Sequence, residues 1–170
     1  MVDTPLHTEI ESERLILLRL TEEDAGFVQR LVNTNGWIQF IGDRNVHSLD
    51  DAKVYVQRIL NSPDIFYWVA RLKENVTAIG IVTLIKRAYL PHFDIGFAFL
   101  PEYAGRGYAY EAASKVMAML KPLPEYNPIL ATTVPNNVQS IRLLTKLGLQ
   151  FEREIEVDKE MLHVYSNSVG

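Results

Sequence analysis

The chain has 170 residues and a mass of 19.4 kDa; 48% of its residues are hydrophobic and 22% are charged. We predict one domain over residues 1–170, with residues 1–11 as a loose N-terminal extension. The composition excludes a disordered or fibrous chain. No stretch of about 18 consecutive apolar residues is present, which excludes a membrane-spanning helix. The N-terminus lacks the basic start and apolar run of an export signal, so we expect a cytoplasmic protein.

Cysteine is absent from the sequence, which excludes a disulfide framework, a thiolate zinc site and a cysteine nucleophile. The histidines are scattered without the spacing of a metal site, so we predict no metal. Seventeen basic and 21 acidic residues give a formal net charge of −4 at pH 7. This charge argues against nucleic-acid binding and favours a small cationic partner. We also expect no membrane partner.

The first half of the chain predicts a strand, two helices and then three strands. Residues 14–20 form a short apolar run typical of a strand, and Thr21 caps a helix that runs through Val32. Ser48 caps a second helix, which ends near Leu60. Segments rich in β-branched and aromatic residues follow and predict three consecutive antiparallel strands, over residues 66–72, 78–85 and 93–100.

The second half begins with the most regular helical pattern of the chain. Its apolar residues recur at the spacing of a helix with one buried face: Ala109, Ala112, Ala113, Val116, Met117 and Leu120. Residues 129–133 then predict a short buried strand, and Asn136 or Asn137 caps a helix that ends at Gly148. Two final strands, over residues 149–155 and 161–166, complete the predicted order.

Gly105, Arg106 and Gly107 lie where the striped helix begins. A helix N-terminus presents unpaired backbone N–H groups and a partial positive charge, so it favours an anion. Glycines let the backbone approach a phosphate closely, and Arg106 adds a cation. This segment predicts a phosphate-binding turn, while a strand-to-helix turn without a ligand is the alternative on the local pattern alone.

Two common nucleotide motifs do not fit this turn. A P-loop needs four residues between its glycines and a following Lys-Ser or Lys-Thr pair, and neither is present. A dinucleotide fingerprint needs a third glycine, where Tyr110 stands, and an acidic ribose ligand, which the next strand lacks. These departures disfavour a dinucleotide-dependent oxidoreductase.

A longer segment around the turn resembles a known family. Residues 93–112 (FDIGFAFLPEYAGRGYAYEA) are similar to the central motif of the GCN5-related N-acetyltransferases (GNAT), especially their ribosomal-protein-N-acetyltransferase-like branch, which includes RimJ and RimL. Asn137, Ser140 and residues 146–149 (KLGL) resemble the second motif of that branch, and residues 13–17 (ERLIL) resemble its first strand. The resemblance covers roughly residues 11–165 in register.

The resemblance implies a mixed α/β fold, in which a central, mostly antiparallel sheet is flanked by helices and splayed where the cofactor enters. It implies acetyl-coenzyme A (acetyl-CoA) as donor and direct transfer of its acetyl group to a primary amine. The family's diphosphate-binding backbone amides map onto Ala104, Gly105, Arg106, Gly107, Tyr108 and Ala109. Many relatives carry Arg or Gln where Ala104 stands, so a side-chain contact to the phosphates is missing here. The pantetheine arm would pair with Phe97, Ala98 and Phe99, and Asn137 would bind it from the other side of the cleft.

The acceptor amine must lose a proton before it can attack a thioester. For a lysine-like amine with a pKa near 10.4 this costs about 4.6 kcal/mol at pH 7, against about 1.4 kcal/mol for an α-amine with a pKa near 8. Asp94 lies on the strand that leads to the turn, and in some relatives this position holds the general base; a solvated aspartate on a strand face is the alternative. Leu144 stands where many relatives carry a tyrosine as the acid for the leaving thiolate. Ser140, one turn earlier, matches the serine of the ribosomal branch and is the candidate acid here. Support of the helix start, or of cofactor binding, is the alternative role for Ser140.

The sequence leaves the acceptor open among a protein N-terminus, a polyamine, an aminoglycoside and another small amine. Similar enzymes wall the acceptor cleft with segments that here contain Trp37, Phe40, Tyr67 and Trp68, and core packing is the alternative role of these aromatics. The loops over residues 36–45 carry no recognisable motif. We expect a monomer or a homodimer. The competing function is a catalytically degenerate acyl-CoA-binding sensor or scaffold, which the residues at positions 104 and 144 keep open.

Overall fold

Residues 6–168 of the chain are described by a computed structural model, and they form eight β-strands and five α-helices. The strands are β1 (Glu9–Glu11), β2 (Leu15–Arg19), β3 (Ile65–Leu72), β4 (Ala78–Ile85), β5 (Asp94–Phe99), β6 (Leu130–Thr133), β7 (Gln150–Val157) and β8 (Glu160–Ser166). The helices are α1 (Ala25–Val32), α2 (Asn35–Phe40), α3 (Leu49–Asn61), α4 (Tyr108–Leu120) and α5 (Val138–Lys146). None of the helices within residues 6–168 is long and apolar enough to cross a membrane.

All eight strands join one open sheet in the order β1-β2-β3-β4-β5-β6-β8-β7. Every neighbouring pair is antiparallel except β5 and β6, which are parallel and pair at one position, Asp94 with Leu130. The expected mixed α/β fold with a mostly antiparallel, splayed sheet is confirmed.

Helices cover both faces of this sheet and build two hydrophobic cores. Alternate residues of a strand point to opposite faces. Ile95, Phe97 and Phe99 of β5 therefore pack with α4 and α5. Ala98 packs in the core beneath α1 and α3, and alternation puts Asp94 on that same side. The strand β5 thus presents apolar residues to one helical layer and its aspartate to the other.

Local hydrogen bonds explain why the helices begin and end where the sequence predicts. Thr21 and Asp24 form a capping box ahead of α1. The hydroxyl of Ser48 accepts a hydrogen bond of 3.0 Å from the N–H of Asp51 at the start of α3. Gly148 has a φ of +91° and ends the segment after α5 in the left-handed conformation. The predicted cap at Ser48 and the predicted left-handed glycine at 148 are confirmed. Thr21 instead precedes a 3₁₀ turn over Glu22–Asp24, and α1 begins after that turn.

Two short elements differ from the sequence prediction. Residues 6–11 are not a loose extension: Leu6 is buried, β1 pairs with β2, and the carbonyl of His7 accepts a hydrogen bond of 3.0 Å from Trp68 Nε1. Residues 1–5 of the predicted extension lie outside the described residues. The helix α2 interrupts the region expected to be loops. Both elements are too short for a periodic pattern, and tertiary contacts stabilise them.

Candidate active site

The turn before α4 adopts a conformation that depends on its glycines. Gly105 has a φ of +75° and Gly107, the N-cap of α4, has a φ of +82°. Residues with a Cβ rarely adopt this left-handed conformation. A Cβ added to Gly107 would also lie 3.4 Å from Arg14 Nη2, whereas one added to Gly105 would meet nothing within 4 Å. The turn therefore has open space beside Gly105.

This turn presents a run of free backbone donors. Within residues 6–168, the N–H groups from Gly105 through Tyr110 have no hydrogen-bond acceptor, and the next one, of Glu111, donates to Gly107 O at 3.0 Å. Residues 104–107 are exposed. Unpaired N–H groups at a helix N-terminus suit an anion with several oxygens, such as a diphosphate.

A network beneath the turn fixes the start of α4 to the segment between β1 and β2. The carboxylate of Glu111 accepts hydrogen bonds from Ser12 Oγ, from Arg14 N at 2.8 Å and from Arg14 Nε at 2.8 Å. The Arg14 guanidinium also lies 4.2 Å from the ring centroid of Tyr108. Burial raises the pKa of Glu111, but the hydrogen bonds from Ser12 and Arg14 outweigh it and hold the pKa below its ordinary value. The carboxylate is thus charged and fully engaged in holding the helix.

A gap opens between β5 and β6 beyond their single pairing. Leu130 N donates to Phe93 O at 3.0 Å at the closed end. Hydrogen-bonding direction alternates along an antiparallel pair, and Leu100 N donates to Ile79 O in β4. The backbone groups of Phe97 and Phe99 therefore face away from β4, into the gap, whereas those of Ala98 face β4. Two of the three residues predicted for the pantetheine arm offer their backbone to a ligand in the gap.

The opposite wall of the gap is the junction of β6 and α5. Asn137 caps α5, since its Oδ1 accepts a hydrogen bond of 3.2 Å from Ser140 N. Its Nδ2 group and the Ser140 hydroxyl have no partner among the described residues, and both side chains line the cavity described next. Leu144, one turn further along α5, is buried and lines the same cavity.

A cavity of about 1050 Å³ runs from the turn through the gap to the α2 and α3 side of the sheet. Asp94 lies at the closed end of the gap, is 3% exposed and lines this cavity. Its Oδ2 accepts hydrogen bonds from Arg87 Nε at 2.8 Å and from Thr132 Oγ1 at 3.4 Å. Burial raises the pKa of Asp94 above its ordinary value, although Arg87 and Thr132 oppose the rise. Asp94 is therefore not a solvated surface aspartate.

Comparison with known proteins identifies the family of this chain. A family profile described as "Acetyltransferase (GNAT) domain" matches residues 14–150, which is most of the chain. The chain belongs to the GNAT acetyltransferase family. It is 26% identical over 143 residues to YnaD, an uncharacterized N-acetyltransferase of Bacillus subtilis (strain 168), and the match covers 84% of this chain and 83% of YnaD.

Solved structures share the fold of this acetyltransferase. A GNAT-family acetyltransferase from Bacillus anthracis superposes with a TM-score of 0.77 at 23% identity, covering 93% of this chain and 96% of that one. RimL, a ribosomal L7/L12 α-N-protein acetyltransferase in complex with coenzyme A, superposes with a TM-score of 0.80 at 14% identity, covering the same two shares. The resemblance to this family is confirmed.

The acetyltransferase cavity brings together most of the residues singled out from the sequence. Asp94, Ser140, Asn137 and Phe97–Phe99 line it together with the residues of the turn, except Arg106. The Arg106 guanidinium instead lies 5.9 Å from the Tyr103 ring centroid. Of the four aromatics considered for the acceptor cleft, Trp37, Phe40 and Tyr67 line the cavity, whereas Trp68 is fully buried in the core beneath α4.

Sequence reasoning missed the cationic residues of the acetyltransferase site. Arg87 pairs with Asp94 across the hairpin of β4 and β5, and Arg14 holds the first turn of α4. Arg44 lines the cavity from the segment between α2 and α3. Arg87 lies two residues beyond Ile85, which pairs with Asp94, and the sequence alone does not set this register. No sequence pattern indicates Arg44.

Proposed function

We propose that this protein transfers the acetyl group of acetyl-CoA directly to a primary amine, with both substrates bound together in the one cavity, and that a single N-acetyltransferase domain without a metal does so. The observation that carries the proposal is the gap between β5 and β6, because it joins the free N–H groups of the turn to a buried carboxylate at its closed end. Since the chain has no cysteine, a covalent acyl-cysteine intermediate is excluded.

The proposed cofactor contacts follow the geometry of the turn and the gap. Backbone N–H groups of residues 104–109 bind the diphosphate, with Ala104 the weakest candidate because its own N–H donates to Pro101 O at 3.1 Å. Phe97 and Phe99 pair with the pantetheine arm, and the free Nδ2 group of Asn137 binds the arm from α5. Ala98 supports the arm through its position between them.

Acetyl-CoA supplies the acetyl group as a thioester. The amine nitrogen forms a bond to the thioester carbonyl carbon, the C–S bond breaks, and the amine loses a proton. Asp94 is the proposed acceptor of that proton, since a carboxyl whose pKa is raised by burial works closer to neutral pH. Ser140 is the proposed donor to the departing sulfur, because its hydroxyl lines the cavity and has no partner among the described residues.

The first test is calorimetry with acetyl-CoA, which we expect to bind with one site per chain. No binding at millimolar ligand would contradict the proposal. A panel of amines, read by mass spectrometry, then tests transfer. If acetyl-CoA binds while no amine is acetylated, the competing function of an acyl-CoA sensor or scaffold is supported instead.

A further inference from the structure

The part of the cavity on the α2 and α3 side of the sheet, which we call the acceptor pocket, has an unexpected charge. The charged lining residues on this side are Arg44, Arg58, Arg87 and Asp94, whereas Arg142 and Lys146 line the cavity from α5. The two arginines Arg44 and Arg58 belong to the segment before α3 and to α3 itself. That helix covers the sheet face opposite to α4, whose N-terminus carries the proposed diphosphate site. The arginines of the acceptor pocket are therefore placed to meet the acceptor rather than the cofactor phosphates.

The only carboxylate that lines the cavity within residues 6–168 already has an arginine as its ion-pair partner. Asp94 is paired with Arg87 at 2.8 Å. Arg44 and Arg58 have no carboxylate within 4.0 Å in the described part of the chain, and both are exposed enough to move toward a ligand. Burial raises the pKa of the Tyr67 hydroxyl well above its ordinary value, and the nearby charges of Arg44 and Arg87 oppose this. The field of Arg44 thus reaches into the pocket.

The α2 wall of the acceptor pocket contains a buried hydrogen-bond donor that lacks an acceptor. Trp37 is 5% exposed and lines the cavity, and its Nε1 has no hydrogen-bond partner among residues 6–168. Buried polar groups are normally paired, so an unpaired donor at a cavity wall favours a ligand that brings an oxygen acceptor. An indole N–H and guanidinium groups are all donors, and a carboxylate or phosphate is acceptor-rich.

We infer that the acceptor is an amine that also carries an anionic group, a carboxylate or a phosphate, which Arg44 and Arg58 bind while the amino group faces Asp94. This rests on the proposed acetyl transfer and narrows its substrate class. A diamine would instead place its second ammonium among unpaired arginines, where like charges repel. The net charge of −4 favoured a cationic partner, but the local charge of the pocket has the opposite sign.

A matched series of amines tests the inference. Three amines share one carbon chain and differ in the charge at its far end: 1,4-diaminobutane, 4-aminobutanamide and 4-aminobutanoate. A second pair, ethanolamine and O-phosphoethanolamine, tests the effect of a phosphate group. The released coenzyme A can be followed with a thiol reagent, because the chain has no cysteine of its own. We expect kcat/KM for at least one anionic amine to exceed that of its neutral partner by about tenfold at low salt.

The double variant Arg44→Gln, Arg58→Gln should reduce this preference to near unity while leaving acetyl-CoA affinity unchanged. Arg153→Gln is the matched control, since that arginine pairs with Glu152 on β7 away from the cavity, and it should keep the full preference. The faster of the two anionic amines identifies the anion.

Equal rates across the series, preference for the diamine, or a preference that survives in the double variant would each overturn the inference. So would a protein that acetylates other amines of the panel but neither anionic amine. Failure of the proposed function looks different, because then acetyl-CoA does not bind, or it binds while no amine of the panel is acetylated.

Discussion

Burial raises the pKa of Asp94 and the charge of Arg87 opposes the rise, and both bear on the proposed role of Asp94 as a base. We expect Asp94→Asn to lower kcat/KM at pH 7 by about a hundredfold, the lower range for a lost general base. Activity should recover as the pH approaches the pKa of the amine, because the amine then deprotonates without help. The pH dependence of kcat/KM measures this directly.

Thr132→Val is the matched control for Asp94, because it removes a hydrogen bond of 3.4 Å and leaves the carboxylate in place. It should keep activity close to that of the unaltered protein. A pH profile of the Asp94 variant that runs parallel to the original at every pH would exclude the carboxylate as the base.

Arg87→Gln tests the role of Asp94 by removing the positive charge of its ion-pair partner. Without the Arg87 charge, burial is opposed only by Thr132, so the pKa of Asp94 rises further. A base must be deprotonated to act, so the acidic limb of the kcat/KM profile should move to higher pH. Movement of that limb to lower pH would be inconsistent with Asp94 as the base; circular dichroism checks that the variant is folded.

Gly107 combines a left-handed conformation with a close neighbour. In Gly107→Ala the left-handed backbone costs about 1–2 kcal/mol, and relaxation of the turn would misalign its N–H groups. We expect acetyl-CoA to bind about tenfold more weakly by calorimetry. Gly26→Ala in α1 is the matched control, because a Cβ there meets nothing within 4 Å and no positive φ is required. Equal affinities for the two variants would mean that the turn does not hold the cofactor.

At the scale of elements, Glu111 joins α4 to the segment between β1 and β2 through three hydrogen bonds. Glu111→Gln should destabilise the protein by about 1–2 kcal/mol at pH 7, since hydrogen bonds to a charged group are the stronger ones. For a chain of this length, each kcal/mol lowers the melting temperature by about 2–4 °C. Glu74→Gln, in the exposed turn between β3 and β4, is the control and should change little.

The pH dependence of that difference has a definite sign. The folded pKa of Glu111 lies below its unfolded value, so its stabilisation is present above the unfolded pKa and is lost as the pH falls through the folded pKa. The difference in melting temperature between the original and Glu111→Gln should shrink as the solution is acidified below pH about 4. A difference that grows on acidification would contradict a charged Glu111 network.

The elements predictable from the sequence are those fixed by local interactions. Ser48 and Thr21 cap their helices through neighbours three residues away, and the stripe of α4 needs only its own periodicity. Strand β1 and helix α2 are stabilised by partners distant in the chain, such as the β2 edge, so their sequences carry no sufficient signal. The turn at Gly105 and Gly107 was predictable because positive φ values require glycine. The pairing of Arg87 with Asp94 depends on the register of a hairpin, which the sequence does not set.

For the molecule as a whole, the sheet consists of two antiparallel parts, β1 to β5 and β6 to β8, that meet at one backbone pairing. This junction is what makes one cavity reach both faces of the sheet. Charge is also divided unevenly: the chain is acidic overall, while arginines line the acceptor pocket. Net charge describes the whole surface and does not set the local charge of a pocket.

The open junction makes a prediction for amide hydrogen exchange. The N–H groups of Phe97 and Phe99 face the gap, whereas that of Ala98 faces β4 between them. In the free protein, Phe97 and Phe99 should exchange much faster than Ala98, because an amide without a partner is not protected. Saturation with acetyl-CoA should slow amide exchange at Phe97 and Phe99 by about tenfold or more, because both N–H groups form new hydrogen bonds to the pantetheine arm. Ala98, in the same strand, serves as the internal control. Protection of all three amides in the free protein would mean that β5 and β6 are joined throughout, leaving the arm no place between them.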